Sequence, residues 1–294
     1  MVQIDGHTGL LGIFATPIGH TLSPRMHNYS FRRLGLNYVY LAFEVGNEEL
    51  ASAVQSIRTL NMRGVNVSMP NKQAIVPLLD RLSPAARLTG TVNTVVNDHG
   101  VLTGHITDGI GFMRALQDEG LDITGRKMVL AGAGGAGTAV AVQAALDGVG
   151  EIALFNRQHG TKWAQAQKIV ALINAQTNCQ ASLHALENQD ELQAALKEAD
   201  IYADTTSLGM KPHENEAVVN DPTWFHPDMI VFDAVYAPRE TKLLKVARQA
   251  GVQHCLNGIG MIIEQGAAAF ELWTGKQMPV NEVRHLLFEE DQHD

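Results

Sequence analysis

Met128-Val129-Leu130-Ala131-Gly132-Ala133-Gly134-Gly135-Ala136-Gly137 joins an apolar run to a Gly-rich turn, and an Ala- and Val-rich stretch follows to about Asp147. The short run reads as a buried strand and the longer stretch as a helix. Gly132, Gly134 and Gly137 then supply G-x-G-x-x-G at a strand-to-helix junction. The first glycine permits a tight turn, the second lets a pyrophosphate approach the backbone, and the third lets the helix pack on the strand. Unpaired N–H groups and the positive end of the helix face the anion. Gly132, Ala133, Gly134, Gly135, Ala136 and Gly137 are therefore candidate dinucleotide-binding residues, and a Gly-rich turn without a ligand is the plainer alternative.

Downstream, Glu151–Phe155 reads as the second strand, followed by Asn156-Arg157. A carboxylate for the ribose 2′-OH is expected about 20 residues after the turn, and none stands there. Arg157 suits a 2′-phosphate, which favours NADP, although an exposed strand-end Arg also fits. The alternation continues with a helix from about Thr161 and strands at Ile201–Ala203 and Met229–Asp233. Upstream, an earlier alternation runs through Leu10–Phe14, Arg25–Leu34, Tyr38–Glu44, Glu48–Leu60, Gly64–Val67, Asn71–Leu79 and Val92–Val96. The expected fold is α/β: an N-terminal α/β domain, and a Rossmann-like domain on a doubly wound parallel sheet. Because crossovers put helices on both faces, each region is expected to hold a mainly parallel sheet. From Met261 the chain reads as helices, with Ile262, Ala269 and Leu272 spaced for a buried stripe.

Composition narrows the function. At about 150 residues per domain, 294 residues make two domains. With 22 Lys and Arg against 31 Asp and Glu, the net charge is −9 and no basic run stands out, which disfavours nucleic acid. Cys179 and Cys255 lie far apart, which fits a reducing, cytoplasmic setting. No signal pattern or membrane-length apolar stretch is visible, so neither export nor a membrane partner is expected. Twelve His occur without H-E-x-x-H or a Cys and carboxylate set, so no metal is expected.

Polar residues at the strand ends of the first region are the candidates for chemistry. His20-Thr21-Leu22-Ser23-Pro24 precedes a helix, where Ser23 fits the N-cap and Pro24 the first helical position. Asn66-Val67-Ser68-Met69-Pro70-Asn71-Lys72 concentrates two amides, a hydroxyl and an amine between a strand and a helix. Asn93-Thr94 interrupts an apolar run, so a buried Asn93 amide must find partners. Asp108, in Thr107-Asp108-Gly109, reads equally as the cap of a helix starting near Gly111.

Taken together these segments resemble the shikimate dehydrogenase family over nearly the whole chain, and most closely its quinate/shikimate dehydrogenase branch. The family pattern P-I-x-H-S-L-S-P-x-M-H-N is matched by Pro17–Asn28 with Thr21 for Ser. N-V-T-x-P-x-K is Asn66–Lys72 with Ser68 for Thr; G-A-V-N-T is Gly90–Thr94 with Thr91 for Ala; and N-T-D-G is Ile106–Gly109 with Ile106 for Asn. Val67-Ser68-Met69-Pro70-Asn71-Lys72, Gly209-Met210-Lys211-Pro212, Val235-Tyr236-Ala237-Pro238, and Met261–Gln265 followed by Leu272-Trp273-Thr274-Gly275 carry the branch resemblance.

The resemblance implies NAD- or NADP-dependent, reversible oxidation of the C3 hydroxyl of shikimate or quinate, in the shikimate pathway of aromatic amino acid biosynthesis. It implies Lys72 and Asp108 as the catalytic pair. Removing hydride from an alcohol carbon requires a group that takes and returns the hydroxyl proton. Thr21 and Ser23 would bind the substrate carboxylate, and Ser68, Asn93, Thr107 and Gln265 the rest of the ring's polar groups. Asn156, Arg157, Val235, Tyr236 and Gly258 would join the Gly-rich turn at the cofactor. A discontinuous substrate domain of residues 1–107 and 262–294 would enclose a cofactor domain of residues 108–261, and the partner set is the small substrate, with a homodimer left open. Departures at Thr21 and Ile106 keep in view a dehydrogenase of another small cyclic hydroxy acid, and a non-catalytic quinate- or shikimate-binding regulator is the other alternative, disfavoured by the presence of Lys72 and Asp108; Asp204 stands where the family has Asn.

Overall fold

The computed structural model describes residues 4–289, and within it the chain divides into two units. One runs to Gly111 and resumes at Ile263; the other spans Phe112–Ile262.

In the first unit the elements are β1 (Gly9–Ala15), α1 (Ser23–Arg33), β2 (Tyr38–Glu44), α2 (Leu50–Thr59), β3 (Gly64–Val67), α3 (Asn71–Ala74), β4 (Arg81–Leu82), α4 (Pro84–Thr89), β5 (Thr94–Asp98) and β6 (Val101–His105), before α5 (Asp108–Asp118) begins. They build a six-stranded sheet in the order β2-β1-β3-β5-β6-β4. The expected mainly parallel sheet holds only for part of it: β1 pairs in parallel with β2 and β3, whereas β5 runs antiparallel to both β3 and β6. The cause is a hairpin. His99 and Gly100 take positive φ of 53° and 92°, and two such residues turn β5 back into β6 with the twist of the strands. The alternating burial of Val101–His105 marks β6 as a half-buried strand.

In the second unit β7 (Lys127–Ala131), α6 (Gly135–Leu146), β8 (Glu151–Asn156), α7 (Trp163–Gln176), β9 (Gln180–Ala185), α8 (Gln189–Glu198), β10 (Ile201–Asp204), β11 (Ile230–Asp233), α9 (Lys242–Gln249) and β12 (His254–Leu256) alternate strand and helix for most of their length. Every strand pair in this sheet is parallel, in the order β12-β11-β10-β7-β8-β9. β8 and β9 build outward on one side of β7 and β10, β11 and β12 on the other, the doubly wound order whose reversal point, between β7 and β10, is where such sheets take ligands. β10 and β11, inside this sheet, are buried along their whole length, as a parallel sheet covered on both faces requires.

Then α10 (Ile259–Thr274) and α11 (Val280–Phe288) follow. Beyond Ile263, α10 belongs to the first unit, where it packs closely: a Cβ on Gly266 would meet Met26 Cε at 2.2 Å. Trp273, at its end, is buried and donates from Nε1 to Val95 O at 2.9 Å. Gly64 leaves room for that indole, since a Cβ there would stand 2.4 Å from Trp273 Nε1. No helix of the described residues is long and apolar enough to cross a membrane.

Candidate active site

The β5–β6 hairpin decides the geometry of the polar residues. Thr94 pairs with His105, so Asn93, just before β5, and Thr107-Asp108, just after β6, emerge side by side although fifteen residues separate Asn93 from Asp108. Asn93 is 4% exposed and fully engaged: Nδ2 donates to Thr107 Oγ1 (3.0 Å) and Asp108 Oδ1 (2.9 Å), while Oδ1 accepts from the Thr107 N–H (2.9 Å) and Thr94 Oγ1 (3.0 Å). The second Asp108 oxygen accepts from Lys72 Nζ at 2.6 Å. Lys72 reaches it from the short helix α3, whose carbonyl at Lys72 also accepts the Val92 N–H at 2.9 Å. Asp108 opens α5 with its carboxylate directed to Lys72 and Asn93.

Behind this pair the network continues inward. Asn66 donates from Nδ2 to Asn93 O and Thr94 Oγ1, and its Oδ1 accepts from the Tyr40 hydroxyl at 2.6 Å. Burial pushes the Tyr40 phenol well up, against a smaller pull from the Ser23 side chain, so Tyr40 stays a donor. Against Tyr40 stacks His27, ring centroids 4.5 Å apart, with Phe31, Phe270 and Trp273 completing an aromatic enclosure. Both imidazole nitrogens are buried without a hydrogen-bond partner, and burial pushes the ring down to about 3, so it is neutral. Sequence reading misses Tyr40, Asn66 and His27 as a connected set, because their link runs across strands.

Of the remaining candidates in this unit, Thr21 Oγ1 donates to Ser23 Oγ at 3.2 Å. Ser23 is not the helix cap expected of it: α1 begins at Ser23, Leu22 takes the cap position without a side-chain bond, and the Ser23 N–H donates to Thr21 Oγ1 at 3.3 Å. The Ser23 hydroxyl faces Thr21 and Tyr40 instead. Ser68 is half-buried after β3, Thr107 is fully buried against Asn93, and Gln265 is half-buried on α10. Helix 71–79, expected as one element, is broken after Ala74 into α3 and a 3-10 turn at Val76–Leu78. Pro77 explains the break, since it has no N–H to continue the α-helical pattern.

In the second unit the Gly-rich turn has the shape a dinucleotide needs. Gly132 has φ +93°, and a Cβ on Gly137 would lie 2.0 Å from Gly132 O, so the third glycine is obligatory for the helix to pack on the turn. Gly134 and Gly135 meet open space where side chains would stand, and Gly134 caps α6 with no side-chain bond, leaving N–H groups for phosphate oxygens. Asn156 Oδ1 accepts from the Ala133 N–H at 3.2 Å and steadies the turn; Arg157 is exposed beyond it. Val235 is buried, Tyr236 is exposed, and a Cβ on Gly258 would meet Ala234 O at 2.0 Å. Glu187, missed in the sequence, accepts from the Gln158 N–H at 3.1 Å; that bond, with smaller contributions from His159 and Arg157, holds its carboxyl below the usual range. Among the described residues no cluster of His, Cys, Asp or Glu could hold a metal.

Residues 13–95 match the shikimate dehydrogenase substrate binding domain, and residues 258–288 the shikimate 5′-dehydrogenase C-terminal domain. A shikimate dehydrogenase (NADP(+)) of Listeria innocua is 54% identical over 286 residues, covering 97% of this chain and 98% of the relative. The chain belongs to the shikimate dehydrogenase family. Among solved structures, the shikimate 5-dehydrogenase of Listeria monocytogenes, in complex with shikimate and NAD, superposes with a TM-score of 0.95 at 54% identity, covering 97% of this chain and 98% of that one. The quinate dehydrogenase of Corynebacterium glutamicum, in complex with NAD, gives 0.84 at 30% identity, covering 95% and 98%. As a member of the shikimate dehydrogenase family, this chain is an oxidoreductase.

Proposed function

We propose that the chain oxidises the C3 hydroxyl of shikimate to a ketone, reversibly, with Lys72 and Asp108 as its acid-base pair. The carrying observation is the 2.6 Å contact of Lys72 Nζ with Asp108 Oδ2, the other carboxylate oxygen being held by Asn93. The cofactor is NAD or NADP, whose nicotinamide exchanges hydride with the carbinol carbon when bound. Lys72 takes the hydroxyl proton during oxidation and returns it during reduction. Asp108 keeps the amine oriented and accepts from a ring hydroxyl; Asn93 and Thr107 keep that carboxylate from rotating. Thr21 and Ser23 donate to the substrate carboxylate, and Ser68 and Gln265 hold its remaining polar groups. In the other unit, residues 132–137 with Asn156, Arg157, Val235, Tyr236 and Gly258 hold the dinucleotide.

Oxidation of quinate at the same hydroxyl is the second reading, supported by the likeness to a quinate dehydrogenase. Initial rates with shikimate and quinate, each against NAD and NADP, test both. Turnover of shikimate with either cofactor is expected. Turnover of quinate alone would replace the first reading by the second, and no turnover in any combination would leave a binding protein.

A further inference from the structure

The second unit buries two carboxyls that this mechanism does not use. Asp204 ends β10 and Asp233 ends β11, and they are register partners on adjacent parallel strands. Their side chains therefore leave the same face of the sheet, from backbones about 4.8 Å apart. They are 3% and 2% exposed. Each of the four oxygens has one donor. Asp204 accepts from the Thr206 N–H (2.8 Å) and the Tyr202 hydroxyl (2.9 Å); Asp233 accepts from the Val235 N–H (2.9 Å) and the Thr241 hydroxyl (2.6 Å).

These bonds lead to the ends of the loops expected to meet the cofactor. Thr205, in the turn that Asp204 fixes, donates to Ala131 O (2.8 Å) and Gly132 O (3.1 Å), so it grips the first glycine of the Gly-rich turn. Val235, whose N–H Asp233 fixes, accepts the Gly258 N–H at 3.0 Å. Thr241 caps α9 and stands against Gly209, where a Cβ would meet Thr241 Cβ at 3.2 Å.

We propose that Asp204 and Asp233 are paired positioning residues for the cofactor: with one of them neutral they hold the loops that leave β10 and β11, and with both charged they repel and loosen both. This rests on the reading of residues 132–137, Val235 and Gly258 as cofactor residues. The groups facing the pair support it. From β10 comes the Tyr202 phenol, which burial pushes well up; from the loop after β10 the Thr206 amide and hydroxyl; from α9 the Thr241 hydroxyl; and neither carboxyl is drawn down by a Lys, Arg or His. Burial pushes both acids up, Asp233 to about 7, with the Asp204 charge as the second cause at Asp233. Two like charges in a dry site do not both ionise near neutrality.

The test is NADPH binding to the full chain without shikimate, by fluorescence titration from pH 6 to pH 9, with melting temperatures at the same pH values. Wild type, Asp204→Asn and Asp233→Asn are compared. The 2′-phosphate of NADPH titrates alike for all three, and an amide at either position keeps hydrogen bonds because the Tyr202 or Thr241 hydroxyl can turn and accept. Relative to both variants, which share the ligand's own titration, wild-type affinity is expected to weaken about tenfold across the range, the scale of a one-unit shift. The stability sign is fixed by the raised carboxyl: the contribution of Asp233 is full below its ordinary 3.8 and is lost as pH rises through about 7. Asp204→Asn should therefore melt higher than wild type at pH 9 and gain less at pH 6. If Asp204→Asn does not fold, Asp233→Asn carries the same expectation. Wild-type and variant pH profiles that run parallel overturn the proposal. A wild-type chain that binds neither NADPH nor NADH at any pH overturns the cofactor reading and the proposal with it.

Discussion

The two sheets differ in what they expose at their strand ends. The second unit's sheet is parallel throughout, and what it offers at the ends of β7 and β8 is mostly backbone: glycines 132, 134 and 137, and an amide, Asn156, that serves the turn itself. The first unit's sheet interrupts its parallel pattern with an antiparallel hairpin, and there it offers side chains: Lys72, Asn93, Thr107 and Asp108. The break is what brings them together. A parallel crossover needs a dozen or more residues to return to the same end of a sheet, whereas a hairpin sets the residue before one strand beside the residue after the next. Regular architecture suits a cofactor read through its phosphates; acid-base chemistry needs side chains held in one geometry, which the buried Asn93 provides.

That division predicts which variants act on chemistry and which on cofactor binding. The largest effect belongs to Lys72→Ala, expected to lower kcat by about 10²- to 10⁴-fold with a modest change in KM, because general acid-base catalysis acts in the transition state. Asp108→Asn should be comparably damaging, and the double variant little worse than the worse single one, since the groups act as a unit. Steady-state kinetics that show additive losses, or near-normal kcat with weakened shikimate binding, would break the division.

The buried interiors sharpen the contrast further, since the first unit hides a neutral imidazole and the second two acids. The His27 ring, pushed down to about 3 from its ordinary 6.5, takes no proton in the folded state where the unfolded chain does. Its contribution to stability is full above 6.5 and is lost as pH falls from there towards 3. At pH 5 the loss is about 2 kcal/mol relative to pH 7. His27→Phe, which keeps an aromatic ring in the enclosure, should remove most of that acid sensitivity in denaturant melts. An unchanged difference between pH 5 and pH 7 would show that the sensitivity arises elsewhere.

Legibility follows the same line between the units. The Gly-rich turn, the strands around it and the polar residues of the first unit are readable because each carries its signal within a few consecutive positions. Asn93 is legible as an amide that has to find partners, and it finds Thr107 and Asp108. The direction of β5 is not, because an apolar run carries no sign of whether its neighbour runs with it or against it; only the positive φ at His99 and Gly100 settles that. Ser23 stays ambiguous between cap and ligand until the cap position proves to be Leu22. The Tyr40–Asn66 link and the Asp204–Asp233 pair join residues on separate strands, and sequence spacing holds no trace of such contacts.

Next in size is the cofactor's adenosine end. Arg157 is exposed after β8, and Glu187, held at the Gln158 N–H, brings a carboxylate to the same turn. If Arg157 pairs with a 2′-phosphate, Arg157→Ala weakens NADP by about tenfold or more, as loss of a charge-assisted hydrogen bond does, and leaves NAD nearly unchanged. Loss of both cofactors together would mean stacking on adenine, since stacking ignores the phosphate. Glu187→Gln should move the balance the other way, towards NADP, because it removes a charge that repels the phosphate. Binding titrations with both cofactors on the two variants decide it, and a change in kcat alone would break the assignment of this turn to binding.

The smallest expected effect tests the substrate side most finely. Thr21 keeps a hydroxyl, bonded to Ser23 Oγ at 3.2 Å, and adds a methyl where the family has Ser. Quinate differs from shikimate at C1, which bears the carboxylate in both, so if Thr21 binds the carboxylate as proposed, its methyl bears on one of the two ring shapes more than on the other. One methyl in a pocket is worth about 1–3 kcal/mol when fully felt, and Thr21 is half-buried, so the effect should sit at the lower end. Thr21→Ser is therefore expected to change the ratio of kcat/KM for quinate over shikimate by up to about tenfold, with the cofactor's KM unmoved. A constant ratio would place the Thr21 methyl away from C1, and a shift in cofactor KM would remove Thr21 from the residues proposed to act on the substrate alone.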